Sequence, residues 1–187
     1  MKEINDVEII ESIKKGNIND FNLLIDAYKN KAYSMLKRML KNESDAEEIL
    51  QDCFLKAYYS LDKFQYKSKF STYFYRIVYN SAITKLSGKK RLIEQAMDSV
   101  DDHYDLIDES YSFENNKELS EKLNEIIEKL PPKYSAVLNL FYLEQLSIKE
   151  ICEIMATTES NIKVLLYRSR NALKEIIIKN NLQEELI

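Results

Sequence analysis

Residues that make tight turns are scarce in this sequence, since glycine and proline occur only twice each among 187 residues. An all-β fold needs many such residues, so their scarcity argues strongly against one. No apolar run approaches the roughly 18 residues that cross a membrane. The amino terminus is acidic and lacks the apolar core of a signal peptide. We therefore expect an all-α protein in the cytoplasm, with no membrane insertion.

Cysteine and histidine are equally scarce, with two cysteines and a single histidine, His103. A structural zinc site needs four ligands, which these three residues cannot supply. Cys53 and Cys152 lie on apolar helix faces, where we expect buried and reduced thiols. The sequence shows no phosphate-binding glycine loop and no nucleophile–histidine arrangement. It therefore predicts a protein that has no cofactor or metal and is not an enzyme.

Acidic and basic residues are unevenly distributed along the chain, although its net charge is −4. Residues 88–120 contain four Lys or Arg against nine Asp or Glu, whereas residues 62–91 contain eight basic residues and one acid. The acidic middle segment thus offsets the positive charge of a basic patch, so the net charge does not reveal the patch. Because a local basic patch attracts nucleic acid whatever the net charge, the patch is a candidate nucleic-acid surface.

Helical spacing of apolar residues covers most of the chain. In the first half it predicts a short helix closed by Gly16, a second helix after Asn19, a third that opens with a Ser44–Glu47 capping box, and a fourth from about Phe70. The spacing stops in a polar, acidic stretch and later resumes, with Pro131–Pro132 ending one helix and starting the next. We predict two small helical domains, at 1–95 and 119–187, joined by a flexible acidic linker at 96–118.

The second predicted domain contains a helix-turn-helix pattern between Ser147 and Arg170. Ser147 and Glu150 match a capping box at its start. Ala156 occupies the turn, where many such motifs have glycine and where alanine is tolerated if the backbone avoids positive φ. In DNA-binding motifs of this kind, the second helix contacts bases from its amino-terminal end. Its outward candidates are Ser160, Asn161, Lys163, Tyr167, Arg168 and Arg170. A plain helical hairpin would give the same pattern.

Aromatic residues concentrate beside the basic patch, where residues 54–79 hold ten of the twenty Phe and Tyr residues. Rings interleaved with Lys and Arg suit unpaired nucleic acid, because bases stack on rings while cations follow the phosphates. Core packing is the alternative, and we assign about half of these aromatics to it.

Three stretches together resemble the extracytoplasmic-function (ECF) sigma factors, small promoter-specificity subunits of bacterial RNA polymerase. DAEEILQDCFLKAYYSLDKF is similar to the family's polymerase-binding helix, and KFSTYFYRIVYNSAI is similar to its aromatic stretch that handles opened DNA. The segment LPPKYSAVLNLFYLEQLSIKEICEIMATTESNIKVLLYRSRNALK is similar to the family's second domain. The resemblance implies a first domain that melts and recognises the −10 promoter element and a second that recognises the −35 element.

The resemblance also implies partners and residue roles. The partners are core RNA polymerase (its β′ clamp helices and β flap), promoter DNA and an anti-sigma factor. Residues expected to contact the polymerase are Glu48, Gln51 and Asp52. Residues expected at the −10 element are Lys63, Lys69, Phe70, Thr72, Tyr73, Arg76 and Asn80, and those expected at the −35 element are the six outward candidates above. Val164 and Leu165 stand where the family usually has a small polar residue and then Arg, which predicts altered −35 recognition or contact with a protein partner.

Two other functions fit the same sequence. An autonomous helix-turn-helix regulator would bind duplex operators tightly without polymerase. A sigma-like interaction protein would retain the fold but have lost its DNA-recognising surface. Core-dependent transcription distinguishes a sigma factor from both.

Overall fold

The computed structural model describes residues 5–94 and 126–179, and the side chains of 5–88 and 126–179. Within these ranges the chain forms helices and no strand. The first range contains α1 (Asp6–Lys14), α2 (Phe21–Leu40), α3 (Glu43–Ser60) and α4 (Phe70–Glu94), with 3₁₀ turns at Ile18–Asp20 and Leu61–Lys63. The second contains a helical stretch at 126–129, then α5 (Pro132–Leu138), a π-helical turn (Asn139–Leu143), α6 (Ile148–Met155) and α7 (Glu159–Lys179).

These two groups of helices, the first and second domains below, confirm the predicted all-α fold of two helical domains. The predicted linker at 96–118 lies outside the described residues. None of the helices in the described ranges is long and apolar enough to cross a membrane.

Polar side chains cap the starts of α3 and α6, one as predicted and one differently. At α6, Ser147 and Glu150 form the predicted capping box, with the Glu150 carboxylate accepting from the Ser147 N–H at 2.9 Å. The capping box predicted at Ser44 is wrong. The cap of helix α3 lies two residues earlier, at Asn42, whose side-chain oxygen accepts from the Asp45 N–H at 2.9 Å. Asparagine caps as well as serine does, and here the extended backbone lies at Asn42 (φ −150°, ψ 119°).

The turn between α6 and α7 places alanine in a backbone conformation that favours glycine. Ala156 has a left-handed backbone (φ 50°, ψ 50°), and its N–H bonds to the Cys152 carbonyl. The condition under which alanine would be tolerated there without strain, a backbone without positive φ, is therefore not met. A left-handed residue commonly ends a helix because it satisfies a free carbonyl and turns the chain away. Gly16 has the left-handed φ, 105°, that its predicted role as a helix end requires.

Ala156→Gly is expected to stabilise the protein by about 1 kcal/mol. A Cβ in the left-handed region costs about 1–2 kcal/mol, and the larger conformational entropy that glycine loses on folding offsets part of the gain from removing it. Urea unfolding followed by circular dichroism measures the change. Ala27→Gly, at an exposed position inside α2, is the matched control and should destabilise by about 0.5–1 kcal/mol. A loss of stability at Ala156 as well would contradict the assigned backbone.

An aromatic cluster forms the core of the first domain. The Phe74 ring is fully buried and stacks on Phe54, with centroids 4.7 Å apart, and on Phe70 at 6.0 Å. Of the ten aromatics between residues 54 and 79, six are buried: Phe54, Phe64, Phe70, Phe74, Tyr75 and Tyr79. Assigning about half of this aromatic stretch to the core is therefore confirmed. Of the other four rings, Tyr59 and Tyr66 are exposed, and Tyr58 and Tyr73 are half-buried.

The core of the helix-turn-helix consists of Ile151, Ile154, Ile162 and Leu166, all buried. Cys152, which was expected to be a buried thiol, is only half-buried. Cys53 is fully buried, and burial is the main cause that raises its pKa to about 11. Both cysteines are free thiols.

Helix α5 packs on α2 and α6 packs on α4, so the two domains share one continuous core.

Candidate nucleic-acid and polymerase interfaces

Helix α3 carries the three predicted polymerase contacts on its exposed face. Glu48, Gln51 and Asp52 are all exposed, and their spacing of three and four residues places them side by side. Glu48 is held by Lys85 of α4, whose Nζ lies 2.8 Å from its carboxylate and 3.2 Å from that of Asp45. Hydrogen bonds to Glu48 and then Asp45 raise the pKa of Lys85. This bridge fixes α4 against α3 at the edge of the exposed face.

An open groove of about 870 Å³ runs between α3 and α4. The predicted polymerase contacts and the predicted −10 contacts meet in this groove, because its lining includes Asp52 from the first set and Tyr73 and Asn80 from the second. Leu55 and Tyr59 also line it, and they are 53% and 76% exposed. Exposed apolar side chains beside polar ones are typical of a protein or nucleic-acid contact.

Leu55 and Tyr59 were not among the candidate residues from the sequence. The available signal was helical spacing, because position 55 follows Gln51 by four residues and position 59 follows 55 by four. Both therefore extend the exposed face of Glu48, Gln51 and Asp52 towards the amino-terminal half of α4.

Hydrogen bonds orient the side chains on both walls of the groove. The Tyr73 hydroxyl bonds to Ser60 Oγ at the end of α3. The Lys56 ammonium donates to Ser81 Oγ of α4 at 3.1 Å. Tyr73 is half-buried, so part of its side chain remains accessible while its hydroxyl is anchored. An anchored ring loses little entropy when a base stacks on it.

The predicted −10 residues divide into an exposed and a buried group. Lys63, Arg76 and Asn80 are exposed, with Arg76 and Asn80 one helical turn apart on α4. Phe70 and Thr72 are buried, at 3% and 2% exposure, and their side chains do not reach the surface in this arrangement. The two buried residues hold the first turn of α4 in the core instead.

Lys69, the remaining member of that set, contacts the second domain. Its Nζ lies 3.0 Å from a carboxylate oxygen of Glu150 in α6. Burial acts to raise the pKa of Glu150, but its hydrogen bonds with Ser147 and Lys69 lower the pKa overall. The carboxylate is thus ionised at neutral pH and pairs with a cation of the candidate nucleic-acid surface.

The predicted −35 residues lie along α7, and the amino-terminal ones are the most accessible. Ser160, Asn161 and Lys163 are exposed in its first turns, while Tyr167, Arg168 and Arg170 are half-buried. Asn161 is fixed by a 3.1 Å bond from its amide to the Thr157 hydroxyl. This end of a helix is where base contacts form in helix-turn-helix proteins.

The apolar pair in α7 has a structural explanation. Val164 and Leu165 are both half-buried, and Leu165 packs against the shared core.

Arg170 further along α7 donates from Nε to the Tyr142 hydroxyl at 2.8 Å, and its guanidinium lies 5.7 Å from the Tyr142 ring centre. Tyr142 therefore positions one of the two candidate arginines, a role that sequence spacing did not indicate.

Two family models match the chain, one for each domain. Residues 24–92 match Sigma-70 region 2, and residues 120–173 match Sigma-70, region 4. An exposed α3 face, a neighbouring basic and aromatic groove, and a separate helix-turn-helix thus lie on the two regions of a sigma-70 type of protein.

Similar proteins show to which family of sigma-70 type proteins the chain belongs. The chain is 33% identical over 174 residues to the ECF RNA polymerase sigma factor SigW of Bacillus subtilis, an alignment covering 89% of this chain and 93% of that protein. It is 31% identical over 187 residues to the ECF RNA polymerase sigma-E factor of Escherichia coli K12, covering 92% and 94%. The chain belongs to the ECF sigma factor family, whose members are specificity subunits of RNA polymerase and not catalysts.

Solved structures share the fold over most of the length of the chain. CnrH, in complex with the cytosolic domain of CnrY, matches with a TM-score of 0.64 at 15% identity, covering 91% of this chain and 96% of that one. The Bartonella quintana sigma factor RpoE, in complex with the anti-sigma factor NepR, matches with a TM-score of 0.64 at 16% identity, covering 84% and 96%.

Proposed function

We propose that the two domains of this sigma factor divide promoter recognition between them. Residues 1–95 bind core polymerase and melt and recognise the −10 element. Residues 119–187 recognise the −35 element, and residues 96–118 are the linker that joins the two domains. The observation that carries this proposal is the separation of two accessible surfaces, the α3–α4 groove in the first domain and the amino-terminal end of α7 in the second. The protein acts in the cytoplasm, without a cofactor and without catalysing a reaction.

The polymerase contact is assigned to the exposed face of α3. Gln51 and Asp52 offer an amide and a carboxylate beside exposed Leu55 and Tyr59. A polar rim around apolar side chains is the usual composition of a protein interface. We assign Glu48, Gln51 and Asp52 to the β′ clamp helices, and the second domain to the β flap.

Contact with the opened −10 strand is assigned to the groove and its basic edge. Tyr73 offers a ring, Asn80 offers an amide, and Lys63, Lys69 and Arg76 offer cations for phosphates. Phe70 and Thr72 keep α4 in place, because both are buried.

Contact with the duplex −35 element is assigned to Ser160, Asn161 and Lys163 on α7, followed by Tyr167, Arg168 and Arg170. An anti-sigma factor is a further expected partner, by analogy with RpoE of Bartonella quintana and its partner NepR.

Run-off transcription with purified core polymerase tests the proposal. The full chain should direct transcripts from a small set of promoters, and transcript start sites mapped after overexpression should share two upstream elements. Tight duplex binding by the chain alone, with no core-dependent transcript, would favour an autonomous regulator. Core binding without promoter-dependent transcription would leave only an interaction protein.

Lys163→Ala should reduce transcription from promoters that depend on the −35 element by roughly 5- to 30-fold, because one lost phosphate or base contact costs about 1–2 kcal/mol. Arg170→Ala should act in the same direction, with part of its effect due to loss of the Tyr142 contact. Run-off assays on promoters with intact and scrambled upstream elements provide the measurement. Lys133→Ala, an exposed lysine of α5, is the matched control and should leave output unchanged. Equal output from Lys163→Ala and wild type would place the −35 contact elsewhere.

A further inference from the structure

The loop between α3 and α4, residues 64–69, places positive charge beside an exposed ring. Lys63, Lys67 and Lys69 are exposed within this loop or next to it, and Tyr66 is 41% exposed. Cations around an accessible ring suit a single strand, because phosphates follow the cations and a base stacks on the ring. Tyr66 and Lys67 were not among the residues predicted at the −10 element, so the loop enlarges that candidate surface.

Tyr66 has a backbone conformation that its side chain disfavours. Its φ is 56°, in the left-handed region where glycine is usual and a Cβ is disfavoured. Strain of this kind persists only where the surrounding contacts fix the chain, and it is concentrated at functional sites. The shape of the loop therefore depends on the contacts that hold Tyr66.

Lys14, in the last turn of α1, supplies such contacts from 50 positions earlier in the chain than Phe64. Its ammonium donates to the Phe64 carbonyl at 2.8 Å, and its Nζ lies 4.9 Å from the centre of the Tyr66 ring. Partial burial, and then the nearby Glu11 carboxylate of α1, raise the pKa of the Tyr66 hydroxyl. Helix α1 also packs on the 3₁₀ turn at Leu61–Lys63. Lys14 thus joins α1 to the loop through one carbonyl and one ring.

Phe64 connects this restraint to the ring proposed to stack on a base. Its own ring is buried, and its centroid lies 5.0 Å from that of Tyr66 and 5.0 Å from that of Tyr73. A shift of the Phe64 backbone would therefore move the loop ring and the groove ring together. Rings that are already fixed bind a base more tightly, because no ordering cost remains to be met on binding.

We propose that Lys14 is a positioning residue for −10 recognition, which acts through Phe64 to fix Tyr66 and the α3–α4 loop for the opened strand. This inference rests on the proposed −10 role of the first domain. Lys14 belongs to α1, outside the predicted −10 residues, and its effect reaches the strand only through the loop. Helix α1 is thereby part of the −10 site.

Lys14→Met tests the proposal in complex with core polymerase, because it removes the donor and the charge and keeps most of the side-chain length. Run-off output from promoters with an intact −10 element should fall roughly 5- to 10-fold, and output from singly substituted −10 elements less than about 2-fold. Affinity for core polymerase should be unchanged. Lys14→Arg should restore most of the output, because a guanidinium can donate to the same carbonyl and lie over the same ring.

Lys15→Met is the matched control. Lys15 is the next residue, is exposed, and is also a cation at the carboxyl-terminal end of α1. Its loss weakens the favourable interaction with the helix dipole in the same way as the loss of Lys14. The control should leave both run-off output and discrimination between intact and substituted −10 elements unchanged.

A tryptophan in the loop measures the positioning directly, since the chain contains no other. Tyr66→Trp in the free full-length chain places a single indole there and keeps an aromatic face for the Lys14 ammonium. The steady-state fluorescence anisotropy of this indole should fall when Lys14→Met is added. It should stay unchanged when Lys15→Met is added.

Two outcomes would overturn the proposal. Unchanged indole anisotropy with Lys14→Met would show that Lys14 does not hold the loop. Equal loss of output from intact and substituted −10 elements, with the salt slope of promoter binding reduced by about one, would make Lys14 a phosphate contact instead. Failure of the proposed function has a different signature, because wild type would then give no promoter-dependent transcript, while the indole anisotropy would still show whether Lys14 holds the loop.

Discussion

Phe74→Ala is expected to lower the free energy of unfolding by about 3–5 kcal/mol, the usual cost of removing a fully buried ring. Phe74 has no exposed surface, and its ring lies between those of Phe54 and Phe70, with Tyr28 5.7 Å away. Helices α2, α3 and α4 each contribute a ring to this cluster, so the cavity would open where all three meet. Guanidinium chloride unfolding followed by circular dichroism measures the loss.

Two further variants keep this prediction testable. Phe74→Leu should cost less because it leaves a smaller cavity, and it preserves a measurable transition if the alanine variant does not fold. Tyr59→Ala removes an aromatic ring that is 76% exposed, and it should change stability by less than about 0.5 kcal/mol. If Phe74→Ala and Tyr59→Ala had similar costs, the cluster around Phe74 would not be the centre of the first domain.

Local patterns in the sequence predicted the helices well, because their determinants are close together in the chain. The capping box at Ser147 and the break at Pro131–Pro132 each depend on residues within one turn, and both are present. The start of α3 was misplaced by the same kind of pattern. Asn42 and Ser44 are both good caps, and only the backbone conformation selects between them.

Which side of a helix faces the core was harder to predict. On α4, Phe70, Thr72 and Tyr73 are close in sequence, yet the first two are buried and the third is half-buried. A stretch in which aromatic residues outnumber the positions on one helical face has no unique apolar side. The packing partners in α2 and α3 determine the rotation, and these lie far away in the chain.

Contacts between the domains had no local signal. Glu144 lies between α5 and α6, and nothing in its neighbours indicates that its side chain becomes buried against Lys31, 113 positions earlier in the chain. Charge complementarity across a domain interface is a property of tertiary placement. The sequence therefore predicted both candidate surfaces without predicting the contacts that join the two domains.

Gln51→Ala combined with Asp52→Ala is expected to weaken binding to core polymerase by roughly 100-fold, because two interface contacts of about 1–2 kcal/mol each are lost. Both side chains are exposed on α3, so the free energy of unfolding should change by less than about 0.5 kcal/mol each. Glu48 is left in place because its bond to Lys85 joins α3 to α4. Fluorescence anisotropy of the labelled chain titrated with core polymerase measures affinity, and circular dichroism verifies the fold.

The control for this variant matches it in chemistry and in setting. Asn22→Ala with Asp26→Ala also removes one amide and one carboxylate from the exposed side of a helix, here α2, and changes the net charge equally. It should bind core polymerase as wild type does, which separates a local contact from a general electrostatic effect. Equal weakening in both variants would mean that negative charge on the first domain, and not the α3 face, drives association. Unchanged affinity in the Gln51 and Asp52 variant would leave Leu55 and Tyr59 as the next residues to replace, because they continue the same exposed face towards the groove.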